Sequence, residues 1–259
     1  MDRDYEGFKQ SIYDQTGINL SLYKEAQMKR RLIALRDKRS FGTFSDYFHA
    51  LKKDPELLLE FLDRMTINVS EFYRNPARWD VLEKKIIPLL LEDRSSIKVW
   101  SAACSTGEEP YSLSMMLSDH KNNVFRFSIL ATDLDQQVLE QAKKGFYFEK
   151  AIKDVPSDKK VRHTTKEELG IRVSDTIKKH VTFKKQNLLS DRFESDFDLI
   201  VCRNVMIYFT EEAKAVLYQK FSKALRKGGV LFVGSTEQIF NPGLYDLESV
   251  EPFFYRKLS

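Results

Sequence analysis

The sequence predicts an α/β chain: a doubly wound sheet with an antiparallel closing hairpin, plus a small all-α N-terminal domain. Three observations lead there. Apolar residues in the first 80 positions recur at helical spacing. From residue 97, short β-branched runs alternate with helical stretches. The tail carries apolar stretches with no helix between them.

In the N-terminal part, Met28, Leu32 and Leu35, then Leu58, Phe61, Leu62 and Met65, fall three or four apart. Ser40 to Thr43 break the pattern, and Asp54-Pro55 opens a new helix with proline in its first turn. Asn75-Pro76 reads as a further helix start with Asn75 as N-cap. The domains are therefore expected at 1–80, helices and linker, and 81–259. In the second, Ile97-Lys98-Val99-Trp100 is a strand, Pro110 to Leu117 a helix and Phe127 to Ala131 a strand. A helix capped by Asp135 and closed by Gly145 follows. Val181-Thr182-Phe183 is a third strand. Phe197 to Cys202 is a fourth, apolar nearly throughout, as a strand buried on both faces should be. Thr210 to Arg226 is helical, Val230 to Gly234 a fifth strand, and Tyr245 to Leu258 the closing hairpin. Residues 146–185, charged and irregular in pattern, are expected to hold an inserted subdomain.

Composition narrows the function. The chain has 259 residues, 42% apolar and 31% charged, ordinary values for a soluble globular protein. No apolar run approaches the roughly 18 residues that span a membrane. The opening MDRDYEGFKQ is acidic where a secretory signal is basic. A cytoplasmic protein is expected. Cys104 and Cys202 offer no metal-ligand spacing, and His49, His120, His163 and His180 share no motif, so no metal is expected. The net charge of +4 is too mild to indicate nucleic acid. Residues 24–39, however, carry seven basic residues against two acidic ones, a local +5. That run is either a solvated helix face or a docking surface for an acidic partner.

In a doubly wound sheet the ligand lies outside the carboxyl ends of the strands, where strand order reverses. The first strand runs into Ser101-Ala102-Ala103-Cys104-Ser105-Thr106-Gly107-Glu108-Glu109, small residues followed by two carboxylates at a helix start. Acids there offset the positive end of the helix dipole, a poor setting for pyrophosphate and a better one for a cation. S-adenosylmethionine, with an ammonium and a sulfonium and no phosphate, fits; alternatively the glutamates only stabilise the helix start. After the second strand, Asp135 suits the N-cap, which leaves Asp133 for two ribose hydroxyls or for a turn. Tyr208, after the fourth strand, lies either at the pocket mouth or in the core. That segment lacks the Asp/Asn-Pro-Pro-aromatic tetrad of methyltransferases acting on nucleic-acid bases.

TINVSEFYRN at 66–75, WSAACSTGEEPYSLSM at 100–115, ATDLD at 131–135, QNLL at 186–189, FDLIVCRNVMIYF at 197–209 and KGGVLFVGSTE at 227–237 follow one another over nearly the whole chain. In these six ordered blocks the sequence resembles the CheR family of chemotaxis receptor methyltransferases. The resemblance implies a class I S-adenosylmethionine methyltransferase fold, transfer of the methyl group to receptor glutamates as γ-glutamyl methyl esters, and S-adenosylhomocysteine as product. It implies cofactor contacts from Asn68, Ser70, Arg74, Glu108, Asp133, Asn187, Leu188, Arg203 and Asn204, with Glu108 chosen over the adjacent Glu109. Arg74 and Tyr208 are expected to hold the substrate carboxylate.

The implied partner is the cytoplasmic helical region of transmembrane chemotaxis receptors, met by Lys29, Arg30, Arg31, Arg36, Lys38 and Arg39. Some members carry an inserted β subdomain with a glycine-rich turn that captures a receptor pentapeptide. Here HTTKEELGIRVSDTIKKHVTF has only Gly170, which puts such a tether in doubt. Two rival readings are a same-fold methyltransferase on another carboxylate substrate and a non-catalytic receptor-binding adaptor.

Overall fold

A computed structural model of the chain describes residues 3–65, 69–92, 94–120 and 126–259. The chain falls into two compact units. One gathers the described residues of 1–68 with Met206–Leu217; the other gathers 69–205 and Tyr218–Ser259.

The first unit is helical: α1 (Arg3–Thr16), α2 (Glu25–Lys38), α3 (Phe44–Lys53) and α4 (Pro55–Met65). Helix starts are set locally. Thr43 accepts from the Asp46 amide at 3.0 Å, and Asp54 accepts from the Glu56 and Leu57 amides at 2.9 and 3.1 Å. Asp4 of α1 reaches across to the Phe44 and Ser45 amides at 2.7 and 3.0 Å, which ties α1 to the start of α3. Inside, Phe8 meets Phe44 at 4.9 Å and Phe61 edge-on at 5.9 Å. Met28, Leu32 and Leu35, the stripe read from the sequence, are buried.

In the second unit, α5 (Pro76–Val81), a π-helical turn at Leu82–Ile86 and α6 (Ile87–Leu91) lead into β1 (Ser96–Ala102). Then come α7 (Glu108–Ser118), β2 (Arg126–Asp133) and α8 (Gln136–Lys144). A small antiparallel sheet follows, with strand order β3 (Phe146–Phe148), β5 (Gly170–Val173), β4 (Thr164–Glu167). Between β3 and β4 lies α9 (Ser157–His163), and α10 (Asp175–Lys178) follows β5. The main sheet resumes with β6 (Val181–Lys185) and β7 (Phe197–Cys202). Helix α11 (Glu211–Ala224), β8 (Leu225–Val233), β9 (Leu247–Glu251) and β10 (Phe254–Lys257) complete the chain.

The seven-stranded sheet runs β6-β2-β1-β7-β8-β10-β9. Pairings from β6 to β8 are parallel, and β10 is antiparallel to both β8 and β9, so the closing hairpin is present. Strand β1 pairs with β2 on one side and β7 on the other; this is the reversal of strand order that opens a crevice at the carboxyl ends. All six residues of β7 are buried, five of them apolar, as a strand covered on both faces should be.

Four features differ from the sequence reading. Asn75 is no N-cap: it is left-handed (φ 62°), makes no capping bond, and its Nδ2 donates to Ser235 Oγ at 3.2 Å. Residues 69–80, grouped above with the N-terminal helices, belong to the second unit, where Phe72, Tyr73 and Trp79 lie in the hydrophobic core. Conversely, Met206–Leu217 cluster with the first unit. There the Lys24 amide donates to Tyr208 O at 2.8 Å and the Thr210 amide to Leu22 O at 2.9 Å. The segment expected as an insertion at 146–185 ends earlier, since β6 is the edge strand of the main sheet. Its Tyr147, Ile152, Val155, Ile171, Val173 and Ile177 join the main core.

At the amino end of β7, Asp198 is 2% exposed and accepts from the Lys98 amide at 2.7 Å and from Arg226 Nε. It thereby joins β1, β7 and β8. Asp198→Ala leaves the Lys98 amide without its acceptor and the Arg226 guanidinium without its carboxylate; it should cost about 3–5 kcal/mol in urea unfolding. Cofactor affinity measured on the folded variant should be unchanged.

Candidate active site

The carboxyl ends of β1, β2, β6, β7 and β8 are followed by the segments singled out in the sequence, and each is locally strained or capped in a way that fixes it. After β1, Ala103, Ser105 and Gly107 are all left-handed (φ 59°, 49° and 95°). Only small side chains tolerate such a run at modest cost. At Gly107 any Cβ would fall 2.8 Å from Ala142 Cβ, so glycine is also required by the close approach of α8. In the 69–75 segment, Tyr73 and Asn75 are left-handed on either side of Arg74 (φ 50° and 62°). Tyr73 is held by its amide donating to Ser112 Oγ at 3.1 Å, and Ser112 Oγ in turn donates to Glu108 O at 2.7 Å. Backbone strain of this kind persists only where its surroundings enforce it.

The two adjacent glutamates have different tasks. Glu108, 5% exposed, accepts from Thr106 Oγ1 at 2.7 Å and from the Ser70 side chain. Burial pushes its pKa up; the Thr106 and Ser70 bonds oppose that. Glu109 accepts from Ser101 Oγ at 2.8 Å and faces Arg203 Nη1 at 3.5 Å. Burial raises its pKa and Arg203 opposes the shift. Arg203, with a side chain 3% exposed, also donates through Nη2 to Arg74 O at 2.7 Å, and its guanidinium lies 4.8 Å from the Phe232 ring centroid. Trp79 Nε1 donates to the same carbonyl at 3.1 Å. Arg203 thus locks the Arg74 backbone, while the Arg74 guanidinium reaches Val69 O at 3.3 Å.

Asp133, the last residue of β2, accepts from the Ser105 amide at 2.8 Å and the Asp135 amide at 3.0 Å, one on each oxygen. Burial pushes its pKa up against these bonds. Asp135 caps α8 through the Gln137 amide at 2.8 Å, the N-cap expected from the sequence. Past β6, the Gln186 amide donates to Asp133 O at 2.9 Å. Asn187 Oδ1 accepts from the Leu189 amide at 3.0 Å, and Leu188 is buried. Past β7, Asn204 is left-handed (φ 60°) and its amide donates to Glu237 Oε2 at 2.6 Å. Glu237 also accepts from the Gly234 amide at 2.8 Å. A Cβ on Gly234 would fall 2.8 Å from the Asn204 amide nitrogen, so a larger residue would push against that backbone.

The second unit therefore brings together Ser70, Arg74, Glu108, Asp133, Asn187, Leu188, Arg203 and Asn204 at the carboxyl ends of its strands. Asn68 lies outside the described residues. Tyr208 belongs to the first unit, half-buried, with the Arg31 guanidinium 5.9 Å from its ring centroid. Glu109 and Glu237 are additions. Glu109 was visible as a neighbour of Glu108, but its partner Arg203 is 94 positions away. Glu237 stood only at the end of a family-like block, with no local signal of its amide partners.

The donor set suits a cationic nucleoside. Acids and hydroxyls crowd the start of α7, and buried Ser105 Oγ and Gln186 Oε1 have no hydrogen-bond partner among the described residues. Orphaned polar atoms beside Asp133 fit a polar ligand that supplies the missing bonds. Among those residues no cluster of His, Cys, Asp and Glu could hold a metal.

Strand order, antiparallel closure and an acid at the end of β2 define a class I S-adenosylmethionine methyltransferase. Comparison with known proteins is more specific. Residues 68–253 match the CheR methyltransferase, SAM binding domain, and residues 3–66 the CheR methyltransferase, all-alpha domain. A chemotaxis protein methyltransferase of Listeria monocytogenes is 46% identical over 260 residues, covering 99% of this chain and 98% of that protein. One of Borreliella burgdorferi is 38% identical, covering 95% and 91%. One of Vibrio parahaemolyticus is 32% identical, covering 92% and 90%. The chain belongs to the CheR methyltransferase family.

The upward shifts of Glu108 and Asp133 have a testable sign. Buried carboxyls hold their protons at higher pH than exposed ones near 4.3. Affinity for the ammonium-bearing S-adenosylhomocysteine should therefore begin to fall, as pH is lowered, before the range where ordinary carboxylates titrate is reached. Calorimetry should show this slope flattened in Glu108→Gln. In the free protein the sign reverses: the folded state holds these protons more tightly than the unfolded chain. Their contribution to stability grows as pH falls through the raised values towards the ordinary ones.

Proposed function

We propose that this protein transfers the methyl group of S-adenosylmethionine to glutamate side chains of chemotaxis receptors in the cytoplasm, forming glutamyl methyl esters for sensory adaptation. Bacterial relatives similar over nearly their whole length, all called chemotaxis protein methyltransferases, support the reading. The observation that carries it is the acid-lined, strained crevice at the carboxyl ends of β1 and β2. It has no histidine among the residues named above and no need of one. A glutamate with a pKa of about 4.3 is already ionised at neutral pH, so a general base is superfluous.

Bound there, the cofactor supplies an electrophilic methyl carbon and leaves as S-adenosylhomocysteine. The chain's own residues bind, orient and exclude water. In this reading Glu108 takes the ammonium, Asp133 the ribose hydroxyls, and Asn187 and Leu188 border the adenine. Asn68, Ser70 and Asn204 complete the cofactor contacts, and Arg203 acts through the Arg74 backbone as well as at the site. Arg74 orients the substrate carboxylate. Its role is geometric, since tight pairing with a guanidinium would quench a weak nucleophile.

In the helical unit a groove of about 420 Å³ is lined by Gln27, Arg30, Arg31, Ala34 and Tyr208. Of the basic run, Arg30 is exposed at this groove, while Arg31 donates to Met65 O at 2.7 Å. Lys38 and Arg39 pair with Glu60, Arg36 lies on the Phe44 ring, and Lys29 sits over Tyr5. The proposed acidic receptor surface is accordingly met mainly at Arg30 and Arg31, with Lys29, Arg36, Lys38 and Arg39 adding longer-range attraction that salt weakens.

Incubation with methyl-labelled cofactor and receptor-containing membranes should give base-labile label released as methanol. The label should be lost in Arg74→Ala and Asp133→Ala. Label that resists base would overturn the ester. Arg30→Glu should cut receptor methylation roughly tenfold at low salt and less at high salt, with cofactor affinity unchanged.

A further inference from the structure

Strand β3, the first of the small sheet, sends one side chain inward: Tyr147, 4% exposed, between the more open Phe146 and Phe148. Its hydroxyl does not stay within that sheet. It donates to Thr106 O at 2.7 Å, in the strained loop after β1. The ring meets Phe72 edge-on, with centroids 4.8 Å apart and planes at 84°. Its backbone is fixed too. Tyr147 pairs with Ile171 of β5, and a Cβ on Gly170 would fall 2.0 Å from Tyr147 O, so only glycine admits the strand at that distance.

These contacts converge on one carboxylate. Thr106, whose carbonyl Tyr147 holds, donates its own hydroxyl to Glu108. Phe72, against which the ring packs, lies two residues beyond Ser70, the second hydroxyl on Glu108. Gly107, between Thr106 and Glu108, is confined by the same side chain: a Cβ there would lie 3.0 Å from Tyr147 Oη. Tyr147 thus braces both hydroxyl-bearing segments that aim Glu108.

We infer that Tyr147 is a positioning residue for the cofactor's amino-acid moiety: it fixes the loop and junction segment that orient Glu108. The inference rests on the cofactor placement proposed above and deepens it. Asp133 is held by the Ser105 and Asp135 amides, not by Tyr147. Loss of the hydroxyl should therefore harm ligands that carry the ammonium and spare those with only the nucleoside.

The test uses the whole chain and two ligands, S-adenosylhomocysteine and 5′-methylthioadenosine, which lacks the amino-acid part. Tyr147→Phe keeps the ring packed on Phe72 and removes only the hydroxyl. By calorimetry it should weaken S-adenosylhomocysteine roughly tenfold, about one hydrogen bond's worth, and leave methylthioadenosine within about twofold. Thr106→Ala should show the same selectivity, and the double variant should lose less than the product of the two, since both act through Glu108. Equal weakening of both ligands in Tyr147→Phe would mean a merely structural role and overturn the inference. Unchanged affinity for both would overturn it as well. If the unmodified chain fails to bind S-adenosylhomocysteine, the cofactor reading falls, and this inference with it.

Discussion

The ion pair between Glu109 and Arg203 is the constraint on which the crevice depends. Glu109 stands at the start of α7 beyond β1, and Arg203 directly beyond β7, the two strands between which the order of the sheet reverses. Removing charge from water at such a place is costly unless every polar atom nearby is used. Ser101 supplies a further donor to the carboxylate, and the Arg74 carbonyl takes a guanidinium hydrogen. The result is a bolt across the mouth of the crevice. It fixes the distance between the two central strands at their functional end and pins the strained turn that carries Arg74. Arg203 Nε remains without a hydrogen-bond partner among the described residues, so the pair is held chiefly by geometry imposed from both strands.

Around that bolt the polar groups divide cleanly. Asp135 and Gly145 begin and end α8, as their residue types announce. Asp133 is thereby free of capping duty, and its two oxygens are used to join the β1 loop to the β2 turn. Glu237 does the same for β7 and β8 through the Asn204 and Gly234 amides. Asp135 is spent on local architecture, while Asp133 and Glu237 span two strand ends and are held in fixed positions by backbone amides. Such preorganisation lowers the ordering cost of binding.

What could be read from the sequence was what local chemistry decides. Phe197 to Cys202 was legible as a buried strand because five apolar residues in six, four of them consecutive, have few other fates. The caps at Asp135 and Gly145 were legible because a cap is made within a few residues. The positions of Glu108 and Asp133 beyond the ends of β1 and β2 were legible from the pattern of strands and helices around them. Long-range partners were not. Asn75 before a proline has the appearance of an N-cap, yet its amide is drawn to Ser235, 160 positions away. The junction segment looked like part of the helical domain because Phe72, Tyr73 and Trp79 are as suitable for one core as for another. Nothing near Tyr147 in sequence indicates that its hydroxyl belongs to a loop 41 residues earlier.

Strand β7 carries Asp198 near its amino end and Arg203 just past its carboxyl end, so a single extended segment is anchored by charge at both extremities for different purposes. Integrity of the sheet is secured on one rim and ligand geometry on the opposite rim. This polarity gives a lineage room to diverge. Substitutions around the functional rim can retune what is recognised without loosening the anchor below, and changes at the anchor can raise or lower robustness without redrawing the crevice. Selection for heat tolerance and selection for altered recognition would then leave their marks at opposite ends of the same six residues.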